Sequence, residues 1–173
     1  LPTPDIVHAV AMGKDGLTSG QGLRIVVDLS TTGPRGAKIL AQGLATNKVA
    51  LVDCPVSGGV AGATNGKLAL MAAGETDIFA QVAPILAHFG TATHVGIEPG
   101  QAQLIKVINN LMSVTALAIA SEGLVLAQKA GIDPEMFMQI VNSGSGRSNA
   151  SEDKIPKYVL SRSFDFGFAL GLS

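Results

Sequence analysis

The chain contains no tryptophan, one tyrosine and one cysteine, and only 14% of its residues are charged. Each scarcity removes a class of function. With aromatics at 4% and a formal net charge of -1, there are few rings to stack on bases and no excess of cations to neutralise phosphates. Nothing therefore marks the chain for nucleic acid or for an anionic membrane surface. Cys54 has no cysteine to pair with; it fits a small buried strand residue and is compatible with a reducing, cytoplasmic setting. His8, His88 and His94 are isolated, show no metal-ligand spacing and read as structural or surface residues, so no metal site is expected.

Long apolar runs are lacking too. The most apolar stretch, Leu111 to Ala120, is interrupted by Ser113 and Thr115 and falls far short of the ~20 residues of a membrane span. The opening Leu-Pro-Thr-Pro-Asp has no basic region followed by an apolar core, so it does not read as a signal peptide. The missing initiator methionine and the abrupt end at Gly171-Leu172-Ser173 point to a piece of a longer chain. What is abundant is apolar: 47% of 173 residues are hydrophobic, enough for one medium domain or two small ones with a sizeable core.

The first part of the chain alternates between two periodicities. Pro2, Pro4 and Asp5 start a helix with the apolar stripe Ile6, Val7 and Val10, which Gly13 and Gly16 would end. Arg24 to Ser30 is a β-branched run that opens into Ser30-Thr31-Thr32-Gly33-Pro34, and a helix follows from Pro34 to Thr46. Val49 to Val56 is a second strand leading into the glycine-bearing loop Ser57 to Ala63. Strand, helix, strand predicts βαβ units and a parallel sheet. Leu68 to Ala73 and Thr93 to Val95 are further strands around a helix from Asp77 to His88.

After Pro99-Gly100 the pattern is helical throughout: Gly100 to Ala130, Pro134 to Asn142 and Glu152 to Val159. The change of pattern places a domain boundary near Ile97 to Pro99, giving residues 1-97 and 98-173. The fold class expected is α/β followed by an all-α domain with a long central helix. That helix has apolar residues on nearly all faces, so it should be surrounded by protein, in part by a second subunit.

Polar residues inside this long apolar helix need a reason. Lys106 and Asn110 are one turn apart and project from one face, with Asn109 beside them. Asparagine is a poor interior helix residue. A lysine among apolar neighbours loses some preference for its charged form and can exchange a proton near neutral pH, while an asparagine one turn away can orient a substrate oxygen. The plain alternative is a lysine that snorkels to the surface; the chemical reading is favoured.

Ser57-Gly58-Gly59, beyond the carboxyl end of an apolar strand, is suited to a carboxylate, or is simply a glycine-rich turn. Ser30 and Thr31 either contact a cofactor or cap the following helix, and capping is favoured by spacing. Arg147, in Gly144-Ser145-Gly146-Arg147-Ser148, is either an anion contact or part of a solvated turn, and the turn is favoured. Cys54 has no activating partner and does not read as a nucleophile.

Taken in order, Asp28-Leu29-Ser30-Thr31, Asp53-Cys54-Pro55-Val56-Ser57-Gly58-Gly59-Val60, Gly66-Lys67-Leu68, Gly74-Glu75, Lys106-Val107-Ile108-Asn109-Asn110 and Gly144 to Ser148 closely resemble the β-hydroxyacid dehydrogenases. This is the 3-hydroxyisobutyrate dehydrogenase type within the 6-phosphogluconate dehydrogenase superfamily. The resemblance covers essentially the whole chain. It implies part of a Rossmann-type domain binding NAD or NADP, then part of a helical domain through which a homodimer or homotetramer forms. It further implies hydride transfer on a small carboxylic acid bearing a 3-hydroxy or semialdehyde group.

By the same resemblance Lys106 is the general acid/base, and Ser57, Gly58, Gly59, Asn109 and Asn110 bind substrate. Leu1, Pro2 and Thr31 are implied to contact the cofactor. Ala102 stands where the family has a second glycine. The family's Gly-x-Gly-x-x-Gly loop is not in this sequence, and its later lysine would follow a stretch like Phe168 to Leu172, so this piece alone is expected to be inactive. The alternatives are a catalytically inactive, dehydrogenase-like oligomerisation or scaffold module, against which Lys106 argues, and a 6-phosphogluconate type with a phosphorylated substrate. The latter ranks lower because that subgroup has histidine where this chain has Asn109.

Overall fold

A computed structural model describes residues 1–167, so the expected stretch Phe168 to Leu172 lies outside the described residues. The chain divides into two compact units, Leu1–Ile108 and Asn109–Ser173.

The first unit opens with α1 (Pro4–Met12), whose N-terminus is closed by Thr3 Oγ1 accepting from Ile6 N. A short 3₁₀ turn at Leu17–Ser19 leads to β1 (Ile25–Asp28), α2 (Gly33–Thr46) and β2 (Ala50–Asp53). β1 and β2 are parallel, in the register Ile25 to Ala50 through Asp28 to Asp53. This is the expected βαβ unit. Side chains on β2 alternate between two cores. Leu51 joins Val7, Ala11, Val26, Leu40, Leu44 and Val49 under α1 and α2, whereas Val52 joins Cys54, Leu70, Ala72, Val82 and Leu86. A sheet buried on both faces explains why β2 reads as a continuous apolar run.

The alternation predicts a parallel sheet, but the sheet is mixed. β3 (Val56–Ser57), α3 (Gly59–Thr64) and β4 (Leu68–Ala73) follow, and β4 runs antiparallel to both β2 and β3. The segment between Ser57 and Leu68 holds only a six-residue helix, too short for the crossover of about a dozen residues or more that a parallel return requires. The expected loop at Ser57 to Ala63 is largely that helix. The longer α4 (Thr76–Leu86) does provide a crossover, and β5 (Gly90–Gly96) lies parallel to β4. β5 begins earlier than the expected Thr93. His94 is structural, stacking on Phe79 at 4.6 Å with its Nε2 2.8 Å from Gly74 O.

α5 (Gln101–Lys129) begins in the first unit and continues through the second. In the second unit follow α6 (Pro134–Ser143), capped by Asp133 Oδ1 accepting from Met136 N at 2.9 Å, and a π-helix at Ala150–Leu160. Pro156 lies inside this last helix. It cannot donate a helical hydrogen bond. Leu124, Met138 and Ile155 form the core of this unit.

One expectation about α5, that it is too short an apolar run to cross a membrane, needs correction. The helix keeps Leu111, Met112, Ile119 and Leu126 65, 67, 64 and 70% exposed among the described residues. It is also long and apolar enough to cross a membrane by length and composition, with a mean hydropathy of 1.5 over its most apolar 18 residues. Leu111 to Ala120 alone understates it, because interspersed Ser and Thr lower hydropathy only slightly.

Candidate functional site

The two parallel strands each end in a buried carboxylate, Asp28 on β1 and Asp53 on β2, side by side in the ladder. Two acids at the end of apolar strands would be costly without donors. Asp53, fully buried, has three donors: Gly100 N (3.0 Å) and Gln103 N (3.3 Å) reach Oδ2, and Gln103 Nε2 (2.7 Å) reaches Oδ1. Desolvation still raises its pKa above 3.8, opposed by those hydrogen bonds and reinforced by Asp28. Asp28 Oδ1 accepts from Ser30 N at 3.0 Å, while Oδ2 is buried without a partner.

Gly100 has a left-handed φ of 94°, and a Cβ there would stand 2.8 Å from Pro34 O. Only glycine lets the chain turn into α5 this close to α2. Ala102, by contrast, is fully buried, so its methyl is accommodated within the packed start of the helix.

The start of α2 is closed in an unexpected way. Neither Ser30 nor Thr31 caps it, and Thr32, the residue at the cap position, makes no side-chain cap hydrogen bond. Gln103 Oε1 accepts from Thr32 N and Gly33 N, both at 3.0 Å, across about seventy residues of sequence. Those are donors that a helix start leaves without intrahelical partners. Thr32 Oγ1 is left buried and unpartnered.

Three residues past Gln103 on α5 stands Lys106, 7% exposed. Burial lowers its pKa from the ordinary 10.5, with no charged neighbour contributing to the shift. Lys106 makes no side-chain hydrogen bond or ion pair to the described residues. Such an amine is suited to taking and giving protons.

The other expected site residues are distributed as follows. Leu1 is exposed, with its backbone nitrogen 2.9 Å from Ser30 Oγ; Pro2 is exposed and Thr31 half-buried. Ser57 is half-buried at the end of β3, and Gly58 and Gly59 are exposed with φ of 132° and 61°. A Cβ on Gly58 would meet Leu68 Cδ2 at 3.2 Å, whereas Gly59 faces open space. Asn109 is exposed and Asn110 half-buried; both are on α5 but in the second unit. Arg147 pairs with Glu152 at 3.7 Å on the surface.

Cys54 is fully buried, its thiol pushed up to about 12 by burial and by the neighbouring Asp53 and Asp28. Among the described residues no three His, Cys, Asp or Glu side chains are grouped to hold a metal ion. Gln103 is the residue that sequence reasoning misses. Its only signal is a second amide-bearing side chain in an apolar run, three positions before Lys106.

Strand ends that carry buried acids, glycines and a helix start define a ligand-binding α/β module, and comparison with known proteins makes that class specific. Residues 1–97 match the family described as the NAD binding domain of 6-phosphogluconate dehydrogenase. Residues 100–173 match that described as NAD-binding of NADP-dependent 3-hydroxyisobutyrate dehydrogenase. The chain belongs to the β-hydroxyacid dehydrogenase family.

It is 36% identical to 2-(hydroxymethyl)glutarate dehydrogenase of Eubacterium barkeri over 99% of this chain and 58% of that protein. Among solved structures it resembles 3-hydroxyisobutyrate dehydrogenase of Salmonella typhimurium (TM-score 0.81, 26% identity, 93% of this chain and 56% of that one). It also resembles Psf3 in complex with NADP+ and 2-OPP (TM-score 0.82, 35% identity, 91% and 56%). The chain spans about half the length of the curated relatives it matches.

Proposed function

We propose that this chain is part of an oxidoreductase that transfers a hydride between NAD or NADP and a small carboxylic acid carrying a 3-hydroxy or semialdehyde group. The observation that carries the reading is Lys106, a buried lysine with a lowered pKa on a helix secured to the sheet's strand ends. Family membership supports the reaction class. The relatives are named for dehydrogenation of 2-(hydroxymethyl)glutarate, 3-hydroxyisobutyrate and L-threonate, all small hydroxycarboxylates.

The nicotinamide, when bound, supplies the acceptor or donor of the hydride. Leu1, Pro2 and Thr31 are the residues of this chain that would hold it. The buried, unpartnered Asp28 Oδ2 and Thr32 Oγ1 next to Thr31 in sequence support a polar ligand at these strand ends. In the oxidative direction Lys106 Nζ, as the neutral amine, takes the hydroxyl proton while the carbon gives up its hydride. In reduction the Lys106 ammonium returns that proton to the carbonyl oxygen. Ser57, Gly58 and Gly59 hold the carboxylate; the left-handed glycines suit them to turn successive N–H groups toward an anion. Asn110 orients the reacting oxygen, assisted by Asn109.

We further assign residues 1-97 to the partial nucleotide-binding domain and 98-173 to the partial helical domain, a division the two matched spans support. A homodimer or homotetramer through the helical domain would cover the exposed apolar residues of α5. That cover gives α5 a role without a bilayer, in which Lys106, Asn109 and Asn110 would be costly. We place the protein in the cytoplasm, with which the single Cys54 of this sequence is compatible; some relatives are named as mitochondrial.

The test is an assay of the intact protein with a panel of small hydroxy acids, followed by nicotinamide absorbance. Lys106→Ala should lower turnover by about 10²–10⁴-fold with an unchanged circular dichroism spectrum. Retained turnover would sink the assignment.

A further inference from the structure

Gln103 is fully buried and every hydrogen-bonding position of its amide is used. Nε2 donates to Ser30 O at 2.9 Å and to Asp53 Oδ1 at 2.7 Å; Oε1 accepts from Thr32 N and Gly33 N, both at 3.0 Å. One side chain thereby joins the loop after β1, the end of β2 and the start of α2 to the helix on which it stands. Asp53 completes the joint from the other side, its Oδ2 accepting from Gly100 N and Gln103 N at the start of α5. A carboxylate on the N-terminal amides of a helix is favourable both as a cap and toward the helix dipole.

Lys106 has no such anchor among the described residues. Its side chain makes no hydrogen bond or ion pair to the described residues, so where its amine stands follows from the rotation and height of α5. Residues three apart are neighbours on a helix face, so whatever fixes Gln103 fixes Lys106 one turn on. We propose that Gln103 and Asp53 are positioning residues for the proton transfer by Lys106, and that Gln103 holds the Ser30–Gly33 loop in one register with that lysine. This rests on the reading of Lys106 as general acid/base. A displacement of about 1 Å can cost about 10²-fold in rate. The joint is therefore expected to act on kcat more than on KM.

The experiment is steady-state kinetics of the intact protein, with folding checked by circular dichroism and thermal melting. Gln103→Glu keeps the acceptor for Thr32 N and Gly33 N, removes both donors, and sets a second carboxylate against Asp53. It should lower kcat about 10²-fold while the substrate KM moves by less than about threefold. In the double variant Gln103→Glu/Asp53→Asn the new carboxamide can donate back to the new carboxylate, and at least about tenfold of the lost kcat should return. Gln103→Asn keeps the amide but shortens its reach by one methylene, and serves if Gln103→Glu does not fold; it should lose about tenfold in kcat at unchanged KM.

A folded Gln103→Asn or Gln103→Glu with wild-type kcat, beside an inactive Lys106→Ala, overturns this inference alone. So does a loss of kcat that the swap leaves in place although it restores thermal stability. Full turnover in Lys106→Ala would remove the general acid/base reading and this inference with it.

Discussion

Lys106 is held at a cost in stability, and the sign of that cost can be measured. Burial puts its pKa below 10.5, so the folded protein gives up this proton at a lower pH than the unfolded chain does. The penalty is complete below the lowered value and disappears as pH rises through the window up to 10.5. Lys106→Met should therefore raise the Tm of the intact protein at neutral pH. The gain over wild type should shrink in melts at increasingly alkaline pH. Cys54 makes the opposite case. With its thiol near 12 and its side chain fully buried, Cys54 of the intact protein should stay unlabelled by a thiol reagent at about pH 8 in the native state and be labelled in denaturant, as read by peptide mass mapping. Both residues are legible in the sequence, Lys106 as a charge in an apolar run and Cys54 as a strand residue. Gln103 is not, because all four of its side-chain hydrogen bonds go to residues 50 or more positions away, and no local pattern encodes them.

Among the elements, local chemistry sets the starts and stops of the longer helices, and the sequence reading finds those within a few residues, whereas the six-residue α3 reads as a loop. Thr3 and Asp133 cap their helices, and Asp133→Ala should cost about 1 kcal/mol in urea unfolding of the intact protein. Gly100 combines a left-handed backbone with a close approach to Pro34 O, so Gly100→Ala should cost about 2 kcal/mol in the same measurement. The strand directions were harder to read. β1, α2 and β2 follow the parallel rule, but β4 reverses because the connection before it is short, a matter of crossover length that apolar patterning does not express. The cap of α2 was misassigned for a related reason: Ser30 and Thr31 satisfy the spacing rule, yet a glutamine from α5 takes the donors. The π-helical winding at Ala150–Leu160 is likewise hidden, since Pro156 signals a disturbed helix without saying how it is relieved.

At the scale of the molecule, the composition gives a long apolar helix its ambiguity. α5 can be read as a membrane span or as a packing helix, and the proposed homo-oligomer would cover its exposed Ile119 and Leu126, seven residues apart on one face. Ile119→Glu combined with Leu126→Glu should convert the intact protein from dimer or tetramer to monomer in sedimentation velocity; an unchanged sedimentation coefficient would remove α5 from the interface. The central claim, however, is chemical, and the pH dependence of kcat for alcohol oxidation tests it most directly. On the proposed mechanism, oxidation requires the neutral Lys106 amine. The intact protein should show a kcat that rises with pH to a plateau, with an apparent pKa below 10.5, and the residual rate of Lys106→Ala should lack that rise. The same rising limb retained in Lys106→Ala would contradict the account.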